Sequence, residues 1–307
     1  MRDRPRLTIV VAVEEGAANL PAILGSLDPA AHPDCDFVFC AVDPAELALV
    51  PTGLEQVRSM LCPAGARIPQ MWRDGIVASR SELVALLTAH VVPAPRWLSA
   101  MLDRSLADGE AGLGGYFTND DRACACDWAI YLLRYAAFSR PVSRPSVSHI
   151  AADNALYRKS EVLACADLVE EGFWEVEYHV RFLAKGLRLA LSADIEVVHM
   201  NRYSARSFAA QRREHGFAFG RDRARRLPPG RLMIHALAAP LVPAILYAKV
   251  LVRAHRHGWI GSVPAATYFW LLYFVWHWAV GEARGLFREM FRRMSCMPWQ
   301  GRRRPFP

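Results

Sequence analysis

Residues 81–98, SELVALLTAHVVPAPRWL, constrain the fold of this chain more than any other stretch. Leu83 to Leu87 is a short, continuous apolar run bounded by polar residues, the pattern of a strand buried on both faces. The run stops at Thr88-Ala89-His90. Pro93 and Pro95 then break the extended chain, and a helix starts near Trp97 with a proline in its first turn. A strand with no solvent face belongs to a parallel sheet covered by helices. In an open sheet of that kind, ligands sit off the carboxyl ends of the strands, so Thr88, Ala89 and His90 fall where chemistry is usually done.

The flanking sequence repeats the alternation. Residues 7–13 (LTIVVAV) form a β-branched run that predicts a first, central strand. Glu14-Glu15-Gly16 turns the chain, and residues 19–27 read as a helix. Residues 37–42 (FVFCAV) predict a second strand, ending at Asp43-Pro44. Residues 67–79 carry another helix. Strand, helix, strand, helix predicts a parallel sheet with right-handed crossovers. Farther on, a helix is expected from Glu175 to Lys185, with Gly186 as its C-cap and Glu175, His179 and Phe182 on one face. Two short strands follow, over 187–191 and 195–198, the second ending at His199.

A length of 307 residues allows one large domain or a domain with an appendage. Just over half the residues are apolar, with the excess toward the C-terminus, and the net charge of +7 is almost all arginine. That balance suits anionic partners such as nucleotide diphosphates or phospholipid headgroups. No helix-turn-helix or zinc-finger spacing supports nucleic acid. The seven cysteines are scattered, and Cys124-Ala125-Cys126 is too tight for the usual zinc pair, so free thiols in a reducing cytosol are expected. Residues 1–6 are charged and the apolar run after them is strand-length, so no signal peptide is expected.

Several of these segments together resemble the family-2 glycosyltransferases of the GT-A fold. The resemblance implies an α/β, Rossmann-like, mostly parallel sheet flanked by helices. In that family a strand ends in Asp-x-Asp before a proline turn and a Trp-Leu helix; here Thr88 and His90 replace the two aspartates. The first-strand loop, Ala12-Val13-Glu14-Glu15-Gly16, partly matches the loop that meets the nucleotide base. Asp43 holds the place of the base-binding aspartate, with a turn-forming aspartate before proline as the alternative. Arg73-Asp74-Gly75-Ile76 is similar to the family's Arg-Asn-Gly-Ile helix. Residues 151–158 (AADNALYR) resemble the segment beside the acceptor pocket, which implies an acceptor-side role for Asn154. An Asx turn is the alternative. Counting back from Arg181, Glu175 falls on the family's catalytic aspartate and Trp174 on the acidic residue before it. Gln211 and Arg212 are similar to part of its Gln-x-x-Arg-Trp segment.

The resemblance implies a site with Val13, Glu15, Asp43, Thr88, Ala89 and His90 on a UDP- or GDP-linked sugar. It puts Asn154, Trp174, Gln211 and Arg212 on the acceptor side. Direct displacement at an anomeric carbon needs a carboxylate to take the acceptor's proton, and Glu175 is the candidate general base. The leaving diphosphate normally needs Mn²⁺ or Mg²⁺ held by carboxylates. His90 and His199 are the candidate metal ligands, and arginines are candidates for part of the metal's role.

The C-terminal third reads as a membrane end. Residues 207–226 mix aromatics with arginines, as in an interfacial helix whose Phe208, Phe217 and Phe219 dip into lipid. Residues 232–252 and 260–280 are apolar runs near the ~20 residues that cross a bilayer, and they predict a helical hairpin. Flanking arginines place both ends in the cytosol, at an inner membrane. The basic turn Arg253-Ala254-His255-Arg256-His257 also fits a re-entrant or flat-lying hairpin. The expected organisation is therefore a transferase domain (1–204), a basic interfacial helix and linker (205–231), two membrane helices (232–283) and a basic tail (284–307). Two functions follow: a membrane-associated inverting transferase with a lipid-linked or glycan acceptor, or an inactive scaffold on the same fold.

Overall fold

The structure, a computed structural model, describes residues 5–104, 106–139 and 141–295. The chain divides into two compact units between Arg202 and Tyr203.

The first unit is mixed α/β. Its strands are β1 (Leu7–Val13), β2 (Cys35–Ala41), β3 (Val57–Leu61), β4 (Leu83–Thr88), β5 (Val91–Pro93), β6 (Glu110–Asn119), β7 (Arg144–Val147), β8 (Asn154–Arg158) and β9 (Arg188–His199). Among the described residues they form one nine-stranded sheet in the order β3-β2-β1-β4-β8-β6-β9-β5, with β7 added on β9. β1 pairs in parallel with β2 and β4, β2 with β3, and β6 with β9. β8 runs antiparallel between β4 and β6, so β4 and β6 share one direction. The helices are α1 (Leu20–Leu27), α2 (Ile68–Ala78), α3 (Trp97–Arg104), α4 (Ala125–Tyr135), α5 (Lys159–Leu163), α6 (Ala166–Val169) and α7 (Glu175–Ala184).

β1 and β2 are buried along their whole length, as their unbroken apolar runs require. Each large aliphatic side chain so buried contributes about 1.5–3 kcal/mol. α2 lies close against this core. A Cβ on its Gly75 would come within 2.3 Å of Val10 Cγ1, and Trp72 Nε1 donates to the Leu87 carbonyl at 2.8 Å.

The outer strands differ from the sequence reading. The proline turn after β4 forms β5, a short antiparallel partner of β9. The two short strands expected over 187–198 are one strand, β9, because irregular register on β6 absorbs the polar Ser192-Ala193-Asp194 segment. β3 and β7 have no clear apolar alternation, and both are largely solvent-facing edge strands.

The second unit is helical: α8 (Ala205–Arg226), α9 (Pro229–Ala238), α10 (Val242–Arg256) and α11 (Ala266–Ser295). α8 and α11 cross at backbone contact through small residues. Cβ atoms on Gly216 and Gly220 would lie 2.0 and 2.2 Å from the carbonyl oxygens of Trp278 and Glu282. Cβ atoms on Gly281 and Gly285 would lie 2.1 and 2.3 Å from those of Arg213 and Phe217. Two buried carboxylates complete the seam. Glu282 accepts from Arg223 at 2.9 Å, and Glu289 is surrounded by Arg225, Arg292 and Arg293.

These contacts correct the expected two-helix hairpin. One segment, Pro229–Arg256, is long and apolar enough to cross a bilayer. The second apolar run does not make a separate span. Gly261 takes a positive φ and Pro264 follows, so the helix starts only at Ala266. It then continues to Ser295 with its glutamates buried against α8 arginines. The expected tail thus begins as helix, and residues 296–307 lie outside the described residues. Phe208, expected to dip into lipid, is instead buried edge-on against Phe274 at 4.8 Å.

Candidate functional site

The sheet brings one set of chain ends together. The carboxyl ends of β1, β2, β4, β6 and β9 share one edge, and β8 starts there because it runs the opposite way. The edge therefore carries the 14–16 loop, Asp43, Thr88-Ala89-His90, Asn119, Asp153 and His199.

The first loop is pressed onto the end of β4. A Cβ on Gly16 would lie 2.6 Å from Ala89 Cβ, so this position excludes any larger residue. His90 Nε2 donates to the Glu14 carbonyl at 2.8 Å, which fixes the tautomer, since a carbonyl can only accept. Asn19 ties a third element in: its Nδ2 donates to the carbonyls of Ala89 (2.8 Å) and Met200 (2.9 Å), and its Oδ1 accepts from Arg202 Nε at 2.7 Å. Glu15, at φ +53°, donates its backbone N–H to Glu46 at 2.6 Å, joining the first loop to the loop after β2. Asp43 is exposed and caps that loop, its Oδ1 accepting from Ala45 N at 2.9 Å. Val13 is buried, so only its backbone can meet a ligand.

Thr88, Ala89 and His90 are fully buried. Burial pushes the His90 imidazole down to about 3, and nearby Arg134 and Arg202 add to this, so His90 is neutral at pH 7. Burial first, and then Arg134 and His90, hold His199 well below its usual range. His199 Nδ1 donates to Asn119 Oδ1 at 3.0 Å. Its Nε2 and the Thr88 hydroxyl are buried without a hydrogen-bond partner among the described residues.

Glu175 opens α7 and is half-buried. Burial of its carboxyl, with the Asp153 charge adding to it, raises the pKa to about 7 against the lowering effect of its own backbone N–H and of Arg134. Asp153, just before β8, receives hydrogen bonds from Tyr135 and from Arg134, the latter at 3.1 Å. Arg134 also lies over the Tyr135 ring, 5.2 Å from its centroid. Its charge is felt by His90 and His199 as well as by Glu175, so the strand-end histidines and the α7 carboxylate share one electrostatic neighbourhood.

Asp153, Arg134, Tyr135 and Asn19 were not among the residues expected from sequence. Asp153 could have been noticed, since it adjoins Asn154 in the segment already singled out. The helix bearing Arg134 and Tyr135 carries no local sign of its role.

The acceptor-side residues divide. Trp174 is half-buried and caps α7. Asn154 does not face an open pocket. It is fully buried, accepts from Trp97 Nε1 at 2.7 Å and donates to the Tyr116 carbonyl at 3.0 Å. That amide ties α3 to the sheet, and the acceptor-side reading of Asn154 gives way to a structural one. Gln211 and Arg212 belong to the second unit, where Gln211 reaches Tyr203 and Arg212 reaches His215 and the Phe208 ring.

The edge does not fit a Mg²⁺ or Mn²⁺ site. Such ions take hard, mostly anionic oxygen ligands. The strand end supplies a neutral hydroxyl and neutral imidazoles, and Asp153 is engaged by Arg134 and Tyr135. No three His, Cys, Asp or Glu side chains among the described residues come together as a ligand set. The expected divalent ion therefore has no ligand set at this edge among the described residues.

No family model and no curated protein matches the chain. Solved structures do. One of them is the mannosyltransferase PcManGT from Pyrobaculum calidifontis, in complex with GDP-Man and Mn²⁺, with a TM-score of 0.52 over 91% of this chain and 87% of that one. At 14% identity the likeness is one of fold. This chain shares its α/β fold with that mannosyltransferase.

Proposed function

We propose that this protein is a membrane-associated, inverting glycosyltransferase that moves a sugar from a UDP- or GDP-linked donor to a lipid-linked or glycan acceptor. The observation that carries this reading is Glu175: a carboxylate poised near neutrality, in the same neighbourhood as the β4 end, on a glycosyltransferase fold. A base whose pKa matches the working pH is the efficient choice for proton abstraction.

In this scheme the loop with Val13 and Glu15, together with Asp43, takes the nucleoside. Thr88, Ala89 and His90 meet the diphosphate. Ionised Glu175 accepts the proton of the acceptor hydroxyl, with Trp174 beside it. The hydroxyl oxygen bonds to the anomeric carbon from the face opposite the leaving group. The bond from that carbon to the diphosphate oxygen breaks, its electron pair leaves with the nucleoside diphosphate, and the configuration inverts. Gln211 and Arg212 have no part in the scheme.

Membrane association is supported by the Pro229–Arg256 segment, where Ile234 and Leu237 are 66% and 76% exposed. Arg225, Arg226 and Arg231 at its start and Arg253 and Arg256 at its end suit anionic headgroups. We place the first unit on the cytosolic side of the inner membrane, where nucleotide sugars are made.

The test is release of UDP or GDP from a panel of nucleotide sugars by the wild type and Glu175→Gln. Release that survives the substitution unchanged removes Glu175 from its role. A second reading, an inactive scaffold, is favoured by the missing carboxylates at Thr88 and His90. It prevails if no donor binds.

A further inference from the structure

We propose that Arg134 and Arg202 hold the donor's diphosphate in place of a divalent cation, one guanidinium reached through Asp153 and the other through Asn19. The inference rests on the nucleotide-sugar reading and says how that site manages charge.

A diphosphate is anionic when bound and gains charge as it leaves, so the site must compensate it. A metal held by carboxylates is one solution; fixed guanidinium groups are another, because their planar fork matches phosphate oxygens two at a time. The β4 end lacks the first. His90 and His199 are taken up by the protein itself, His90 Nε2 on the Glu14 carbonyl and His199 Nδ1 on Asn119.

The second is present near Thr88-Ala89-His90: Arg202 is linked to Ala89 through Asn19, and Arg134 lies over Tyr135, whose ring is 5.2 Å from that of His199. Arg202 lies three residues beyond the end of β9. Its Nε is anchored on Asn19 Oδ1, and the same amide donates to the Ala89 carbonyl, so its position is keyed to the strand end itself. Arg202 is exposed and lines an open cavity of about 300 Å³ with Asn119, His199 and Asn201. The carboxylates on that wall are each bound by backbone N–H groups: Asp127 by Cys124 N, and Asp120 by Arg122 N. They are turned toward the chain as caps rather than gathered as ligands. Arg134 is held by Asp153 and lies over Tyr135, with 18% of its side chain exposed. Two buried polar atoms that the fold leaves unpartnered, Thr88 Oγ1 and His199 Nε2, mark the same edge as built for a ligand.

Calorimetric titration of the full chain in detergent with UDP, and in parallel with GDP, tests this. The wild type should bind one of them with an affinity that differs by less than about twofold between EDTA and Mn²⁺. Arg202→Gln, at an exposed position and with an unchanged melting temperature, should weaken that binding by about tenfold or more, and Arg202→Lys by less, since it keeps the charge and loses the fork. Arg134→Gln should weaken it independently. Binding that requires Mn²⁺, or that is unchanged in both arginine variants, overturns the inference and leaves the transferase reading standing. Absence of binding by both nucleotides under either condition overturns both.

Discussion

His90 donates its Nε2 proton to the backbone carbonyl of Glu14, 2.8 Å away, and so locks the first loop of the sheet onto the end of β4. The residue that stands where a metal-binding aspartate is expected is thereby committed to holding backbone. Replacing it by alanine takes this donor from a partly buried carbonyl, at a cost of about 1 kcal/mol. His90→Ala is expected to lower both stability to urea and nucleotide affinity. His90→Gln keeps an N–H at similar reach and should recover most of both. Equal loss in the two variants would mean that this hydrogen bond is not what matters at position 90.

Glu175 should behave as a site residue that costs stability. Its folded pKa, about 7, lies above the ordinary value of 4.5. The folded state therefore favours the protonated form, and the stability so gained is present at low pH and lost as pH rises through 7. Glu175→Gln removes the buried charge, and is expected to raise the melting temperature more at pH 8 than at pH 5. It should at the same time lower turnover by about a hundredfold to ten-thousandfold. A variant that loses activity and stability together would instead make Glu175 a structural residue.

The pH profile of kcat/KM follows from the same group. It should rise with pH to a plateau above about 7, because the base must be ionised. Neither His90 nor His199 should add a limb between pH 5 and 8, since burial holds the first near 3 and the second well below its usual range. Initial rates of UDP or GDP release across that interval check both statements.

The α8–α11 seam allows no side chain at its glycines. Gly281→Leu would drive a side chain into the α8 backbone at Arg213 and is expected to cost about 3 kcal/mol, read by thermal melting in detergent. Gly230→Ala, where an added Cβ meets nothing within 4 Å, is the matched control and should be neutral or better.

Membrane attachment should depend on the outward face of α9. Ile234→Glu combined with Leu237→Glu puts two charges where 66% and 76% of those residues are exposed. Cosedimentation with phosphatidylglycerol-containing vesicles is expected to fall by about tenfold or more. Undiminished binding would move the membrane contact elsewhere.

Much of the frame was legible in the sequence because it is local. The apolar runs at 7–13 and 83–87 predict fully buried strands, and both are strands within a residue of the expected limits. Glu175 opens its helix and Gly186 follows its end at φ +80°, as the pattern implies. Other readings failed where the deciding partner is distant. Asn154 looked like a pocket residue, yet its partners come from α3, β6 and β9. The 260–280 run looked like a lipid-facing span, but Gly281 and Gly285 bring α8 against its continuation, and the glutamates beyond it find α8 arginines.

Local pattern alone was enough to read a helix-covered sheet with parallel β1, β2 and β4 and a β4 end without metal-binding aspartates, but the expectation of a mostly parallel sheet fails, because β8, β5 and β7 add as many antiparallel pairs as there are parallel ones. Strand burial and residue identity need no distant partner to be read. Long-range folding set the rest: the charge of Arg134 acts on the strand-end histidines and on Glu175, Asp153 holds Arg134, and Asn19 ties Arg202 to Ala89. Those charges come from segments far apart in the chain. The protonation state of each depends on burial and on neighbours that folding alone supplies.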